Sequence, residues 1–210
     1  MSRQVIPAEL FAPVDDWFAD LPIHGEVLEL ACGTGAWTRR LAARADQVHA
    51  IDVAPEMIEQ AQSKVAGGPQ VTFEVADLYR WEPAKVYDTV FFSFLLTHVP
   101  PTMASQLWQL VASSLARGGT VAFVDAAPDR QDEEEWLGDG IVRRTLRDGS
   151  VHRIVKVFPT PLEITAAMAT TDSTGAWMSS ATASWSGSAS IRRPVGSSTI
   201  PMPSGSRPAA

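Results

Sequence analysis

Five short apolar runs, alternating with helical stretches, decide the fold class of this chain. They occupy residues 27–30, 48–51, 71–75, 88–92 and 120–124. Helical patterns at 37–44, 56–65 and 102–115 lie between them. Trp37, Leu41 and Ala45 fall one turn apart, and Met103, Leu107, Leu110, Val111 and Leu115 line one face of the third helix. Pro55 opens the second, as proline suits a first helical turn. Gly67-Gly68-Pro69 and Arg117-Gly118-Gly119 read as turns. The run at 88–92 is almost wholly apolar, as a central strand buried on both faces must be. Strands and helices alternating at this spacing predict an α/β fold: a Rossmann-like parallel sheet, wound by right-handed crossovers, with helices on both faces. Ligands of such sheets bind at the carboxyl ends of the strands.

Both flanks are less regular. Residues 7–21 predict one or two short amphipathic helices, with Leu10, Phe11, Trp17 and Phe18 apolar and Pro13 interrupting, so residues 1–24 form an N-terminal helical cap. The main domain is expected over 25–169. Within it, an acidic run at 129–135 starts a solvated helix, and Asp148-Gly149 between two β-prone runs signals a hairpin. The stretch 128–158 is thus expected as an insertion on the substrate side, followed by a helix at 161–169. From residue 171 on, 29 of 40 residues are Ser, Thr, Gly, Ala or Pro. Such a composition buries too little surface to offset chain entropy, so 170–210 is expected to be a disordered tail.

Charge and cysteine content narrow the partners. A formal net charge of −7 argues against nucleic acid, because phosphate binding needs a basic face. Cys32 is the one cysteine; it can form no internal disulfide and reads as a packed residue. His24, His49 and His152 show no ligand spacing, so no metal site is expected. No run has the length of a signal peptide or membrane span. The expected setting is the cytoplasm, without membrane contact.

The stretch "EVLELACGTGAWTRRLA", from Glu26 to Ala42, combines a buried strand, a glycine turn and a helix. A dinucleotide fingerprint wants a third glycine where Thr38 stands, and a phosphate loop wants a Gly-Lys pair that is absent. Glu29, in the strand, would repel a pyrophosphate, and the turn holds no Lys or Arg to compensate. A cationic ligand reverses that argument. Asp52 follows the second strand, where a carboxylate accepts from two ribose hydroxyls. Asp77 follows the third, where one accepts from an adenine amino group.

These segments resemble the class I S-adenosylmethionine-dependent methyltransferases. "VLELACGTG" is similar to their first motif, with Ala31 at its usual first glycine, followed by Gly33 and Gly35. "HAIDVAPEMIEQAQ" resembles the second, with Asp52 at the ribose and Val53 and Met57 beside the adenosine. "VADLYRW" resembles the third, with Asp77 and Leu78 at the adenine. "YDTVFFSFLLTHVP" and "LARGGTVAFVDAAP" resemble the fourth and the strand-5 motifs. The resemblance runs from about Asp15 to Ala169 and is nearest to the small-molecule branch. It implies S-adenosylmethionine as cofactor, a small-molecule acceptor, and Ser93 and Phe94 beside the methionine part of the cofactor. His98 is the candidate catalytic base, since it titrates near neutral pH.

Plainer readings stand beside these. Asp52 can cap the helix at Pro55, Asp77 can be a loop residue, and "THVP" can be a structural junction. In the family an antiparallel strand pair completes the sheet after the last helix; here the Ser/Ala/Gly tail takes that place. One alternative is therefore a truncated or frameshifted, degenerate methyltransferase that at most binds cofactor, with the fifth strand left as an open edge. Another is a nicotinamide-dependent oxidoreductase.

Overall fold

The parallel sheet is present, and each of its faces carries its own core. The computed structural model describes residues 12–65, 71–126, 135–145, 149–169, 177–183 and 190–192. Five parallel strands form its body: β1 (Glu26–Leu30), β2 (Gln47–Asp52), β3 (Val71–Val75), β4 (Tyr87–Ser93) and β5 (Leu115–Ala126). Their order across the sheet is β3-β2-β1-β4-β5. The helices between them are α2 (Thr38–Ala42), α3 (Pro55–Lys64) and α4 (Ala104–Ser114); α1 (Ala12–Asp20) precedes the sheet. Adjacent residues on a strand point to opposite faces. Phe91 packs with Phe18 of α1 and Trp37, at ring-centroid distances of 6.0 and 5.3 Å. Its neighbour Phe92 stacks on Phe123 at 5.0 Å, under Trp108 of α4. Burial on both faces explains the continuous apolar character of β4.

Element ends differ from expectation in ways that have local causes. Pro13 sits in the first turn of α1, where a missing N–H costs nothing, and residues 7–11 of the expected helical cap lie outside the described residues. The helix expected at 37–44 shortens to Thr38–Ala42, after a turn through Trp37. The turn expected at 117–119 lies inside β5, which begins at Leu115. There the register jumps, with Tyr87 opposite Leu115 and Thr89 opposite Thr120. Gly119 permits the crossing, since a β-carbon there would stand 2.9 Å from the Asp88 carbonyl oxygen. The Gly67-Gly68-Pro69 turn, the start of the acidic run and the hairpin tip at Asp148 lie outside the described residues.

Two short strands of the tail region extend the sheet. β9 (Trp177–Ala183) runs parallel to β5 over seven register pairs, and β10 (Ser190–Arg192) pairs antiparallel to β9. The β9–β10 pair is antiparallel within itself and joins the sheet through β9 on β5. An unpaired β5 edge offers a row of backbone donors and acceptors. Strand pairing there rests on the backbone, so a run of small residues can fill the position without the alternation that marks a strand in sequence.

Between β5 and β9 stands a second sheet of order β6-β7-β8: β6 (Glu135–Gly138), β7 (Ile141–Thr145) and β8 (Val151–Val155). Helix α5 (Pro161–Ala169) follows, with Ile164, Ala167 and Met168 against the core on the α4 face. No helix among the described residues is long and apolar enough to cross a membrane.

A chain ending at Ala169 lacks β9 and leaves the β5 edge open. On size-exclusion chromatography it is expected to elute as larger species than the full chain at equal concentration.

Candidate ligand site at the carboxyl edge of the sheet

The site begins where β1 ends. Three residues in five take left-handed backbone angles: Ala31 at φ 53°, Gly33 at 55° and Gly35 at 76°. Glycine adopts this region freely, whereas an alanine is strained there by about 1–2 kcal/mol. The turn is held from two sides. Cys32 donates its N–H to the Ile51 carbonyl at 3.0 Å, and Gly33 donates to Asp52 Oδ2 at 2.8 Å. Asp52 Oδ1 accepts from Ala54 N–H at 2.9 Å, which sets the chain up for α3. No side-chain hydrogen bond caps α3 itself, so Asp52 is not its cap as the plainer reading had it; it braces the residue before the helix and pins the glycine turn. Gly35 has a second role, because a β-carbon there would meet Ala61 Cβ of α3 at 2.9 Å.

Glu29 lies on the α1/α2 face of the sheet, between Ala50 of β2 and Phe91 of β4. Its side chain is buried, with 1% exposure. Glu29 Oε2 and the nearby Thr38 Oγ1 have no hydrogen-bond partner of normal geometry among the described residues. Burial pushes the Glu29 carboxyl up to about 8; the Thr38 hydroxyl opposes the rise and the Asp52 charge adds to it. The same surroundings raise the Cys32 thiol: desolvation first, then Glu29 and Asp52. A thiol so placed is a poor nucleophile, in keeping with a packing role.

A cavity of about 570 Å³ opens beside the turn. Ala31, Gly33, Ser93 and Phe94 line it. Phe94 is itself left-handed, at φ 51°, and donates its N–H to the Val124 carbonyl at 2.8 Å. Glu29, Gly35 and Asp52 do not line it. Val53 is exposed, Met57 is half-buried on α3, and Leu78 packs against the α4-side core. Asp77 is exposed; its Oδ1 accepts from Tyr79 N–H at 3.0 Å and Arg80 stands 3.7 Å from its other oxygen. The ends of β2 and β3 are joined by the Ala76 N–H donating to the Asp52 carbonyl at 2.9 Å.

His98 does not line that cavity. It ends a 3₁₀ turn, Leu96–His98, and its Nδ1 lies 2.9 Å from the Val155 carbonyl of β8. A carbonyl only accepts, so Nδ1 carries the proton and Nε2 keeps a lone pair. Desolvation, then repulsion by Lys156, lowers its pKa.

Sequence reasoning missed several cavity residues. Asp15 of α1 and Arg40 of α2 both line it and form an ion pair at 2.7 Å. Arg40 also lies over the Phe18 and Trp37 rings, and Trp37 serves both core and cavity wall. Lys64 of α3 reaches Thr34 carbonyl oxygen at 2.9 Å, so cations do approach the turn from outside it. Asp125 was also missed, although it lies one residue from the end of β5, much as Asp52 ends β2. It is 5% exposed and accepts from Thr97 Oγ1 at 2.9 Å and Ala126 N–H at 2.7 Å. Among the described residues, no group of three or more His, Cys, Asp or Glu gathers as a metal site would.

Two outcomes follow for stability. Ala31→Gly is expected to raise the free energy of unfolding by about 1 kcal/mol and Gly35→Ala to lower it by more than that, in urea titrations. Glu29 binds a proton in the folded state up to about pH 8 but unfolded only up to about 4.5. Stability of the ligand-free protein must therefore fall as pH rises through that window. Glu29→Gln should remove this slope and be the more stable form above pH 8.

A family profile described as a methyltransferase domain matches residues 27–119. The chain is similar to DhpI, as seen in the DhpI-SAM-HEP complex, at 38% identity and a TM-score of 0.69 over 83% of this chain and 80% of that one. It is similar to malonyl-[acyl-carrier protein] O-methyltransferase 1 of Ilyobacter polytropus, at 29% identity over 58% of this chain and 48% of that protein. It is also similar to aklanonic acid methyltransferase DauC of Streptomyces sp. strain C5, at 32% identity over 55% of this chain and 56% of that protein. The chain spans about half the length of these two curated relatives. With its strand order, its glycine turn and this similarity over most of its length, the chain belongs to the class I S-adenosylmethionine-dependent methyltransferase family.

Proposed function

We propose that this protein transfers a methyl group from S-adenosylmethionine to a small-molecule acceptor. The observation that carries the reading is the buried Glu29 carboxyl, whose Oε2 has no partner of normal geometry among the described residues. Behind a turn of small residues, such a group suits a ligand with ammonium and sulfonium charge. Two relatives are named methyltransferases, and the similar DhpI structure is a complex with SAM.

Each residue then has a part. Glu29 accepts from or balances the cationic end of the cofactor. Asp52 accepts from the ribose hydroxyls while keeping its hold on Gly33 and Ala54. Val53 and Met57 flank the adenosine, and Asp77 and Leu78 hold the adenine. Ala31, Gly33 and Gly35 bring backbone close to the ligand, and Ser93 and Phe94 flank its methionine part. When bound, S-adenosylmethionine supplies a methyl group on an already activated sulfonium leaving group. The protein's main task is alignment and exclusion of water, worth on the order of 7–11 kcal/mol in the best intramolecular cases. His98, through the lone pair on Nε2, is the group to take a proton from a protic acceptor. The β5–β9 ladder places a strand where a degenerate, out-of-frame tail would leave an edge open, so the frameshift alternative is not favoured.

Calorimetric titration with S-adenosylhomocysteine tests this. Micromolar binding is expected, weakened at least tenfold by Asp52→Asn. Because Glu29 is mostly protonated at pH 7 in the free protein, binding of the ammonium group should release about one proton. Titrations in two buffers of different ionisation heat measure that release, and Glu29→Gln should abolish it. A folded wild type that binds no S-adenosylhomocysteine overturns the reading.

A further inference from the structure

The chain is acidic overall, yet residues 141–156 hold five Lys or Arg and a single Asp. The register of the small sheet sets the places of Arg143, Arg144 and Arg153. Arg143 stands opposite Arg153, and Arg144 opposite His152. Like charges directly across a strand pair are destabilising, so the arrangement lowers the stability of the sheet. Alternation assigns the faces. Val142, Arg144, His152, Ile154 and Lys156 share one face, and Val142 and Lys156 are buried, so this face meets the domain. Arg143 lies on the other face and is paired with Glu135 at 3.0 Å.

The inner face is anchored firmly. Lys156 Nζ donates to Thr97 Oγ1 at 3.3 Å, and Val157 N–H donates to the Thr97 carbonyl at 2.9 Å. Thr97 in turn donates to Asp125 at the end of β5. From that buried anchor the face rises to Arg144 and His152, which are exposed. His98 lies against β8, and both Lys156 and Arg144 act on it electrostatically, as does Asp125 with opposite sign. The loop that carries His98 begins at Ser93 and Phe94, which line the cavity beside the glycine turn. A cationic face therefore stands beside the loop after β4 and the end of β5.

We propose that Arg144, backed by Lys156 and His98, forms a subsite for an anionic group, a carboxylate or a phosphoryl group, on the methyl acceptor. This deepens the methyltransferase reading and rests on it for the word acceptor. The anion binding itself does not. Arg144 offers a planar fork of donors that matches either group, which a lysine would not. Arg143, on the outer face, takes no part.

The test follows the His98 ring by NMR in the full chain, with and without saturating S-adenosylhomocysteine, at constant ionic strength. Acetate and inorganic phosphate are the probes, with acetamide as neutral control. An anion held beside His98 should raise its pKa by about one pH unit. A rise with acetate alone identifies a carboxylate acceptor, and a rise with phosphate alone a phosphoryl one. Arg144→Gln should abolish the rise and Arg143→Gln should leave it intact. If Arg144→Gln fails to fold, Arg144→Lys must show a smaller rise than wild type. The proposal is overturned if neither anion moves His98, if acetamide moves it equally, or if the Arg144 variants respond as wild type does. Calorimetry with S-adenosylhomocysteine on the same samples separates the readings. Loss of cofactor binding with the His98 response intact sinks the methyltransferase reading and leaves the anion subsite standing.

Discussion

The way the chain leaves β1 governs the carboxyl edge of the sheet. A parallel strand must turn sharply to start its crossover helix, and here it does so through three left-handed residues. One carboxylate holds that turn in place. Asp52 spans the ends of two strands, bonding Gly33 on one side and Ala54 on the other. The close approach of Gly35 to Ala61 then sets α3 against the turn. Strain of about 1–3 kcal/mol at a residue such as Ala31 persists because the surrounding sheet, buried on both faces, fixes the backbone there. The turn is thereby preorganised, with its amides fixed before any ligand arrives.

Much of this was legible because periodicity and punctuation agree over residues 25–126. Phe91 and Phe92, adjacent in sequence and packed in opposite cores, are what a two-sided strand looks like as letters. The carboxylates could be ranked by chemistry because Glu29 lies on a strand with no cation in the following turn. What sequence could not supply was depth. Glu29 reads as a strand-end carboxylate, but its neighbours across the sheet are Ala50 and Phe91. That environment makes it a neutral acid in the free protein, which no local pattern encodes. Arg40 and Lys64 were illegible as site residues for a related reason. Their reach depends on helix packing, and the turn they approach lies 6 to 30 residues away. The strand β9 was hidden because Ser, Ala and Thr carry no hydrophobic alternation; its place comes from the waiting edge of β5.

The second sheet changes the balance of the molecule. It hangs from the domain by a buried Thr97–Asp125–Lys156 network, which joins the loop after β4, the end of β5 and the residue that follows β8. Burying an ammonium and a carboxylate is costly unless hydrogen bonds complete the shell. Here Thr97 serves both groups through one hydroxyl, and two backbone amides, those of Thr97 and Ala126, complete the carboxylate. The network anchors a basic face in a protein that is acidic overall.

The parallel pairing of β9 on β5 also has a consequence in time. About fifty residues separate the end of β5 from the start of β9. Strands β1 to β5 join through short crossovers and can assemble as the chain grows. The last edge must wait for a complete second sheet and α5. At a synthesis rate of roughly 5–20 residues per second, that edge stands uncovered for about 3–10 s on each nascent chain. A folding helper or a sister chain has that interval in which to meet it.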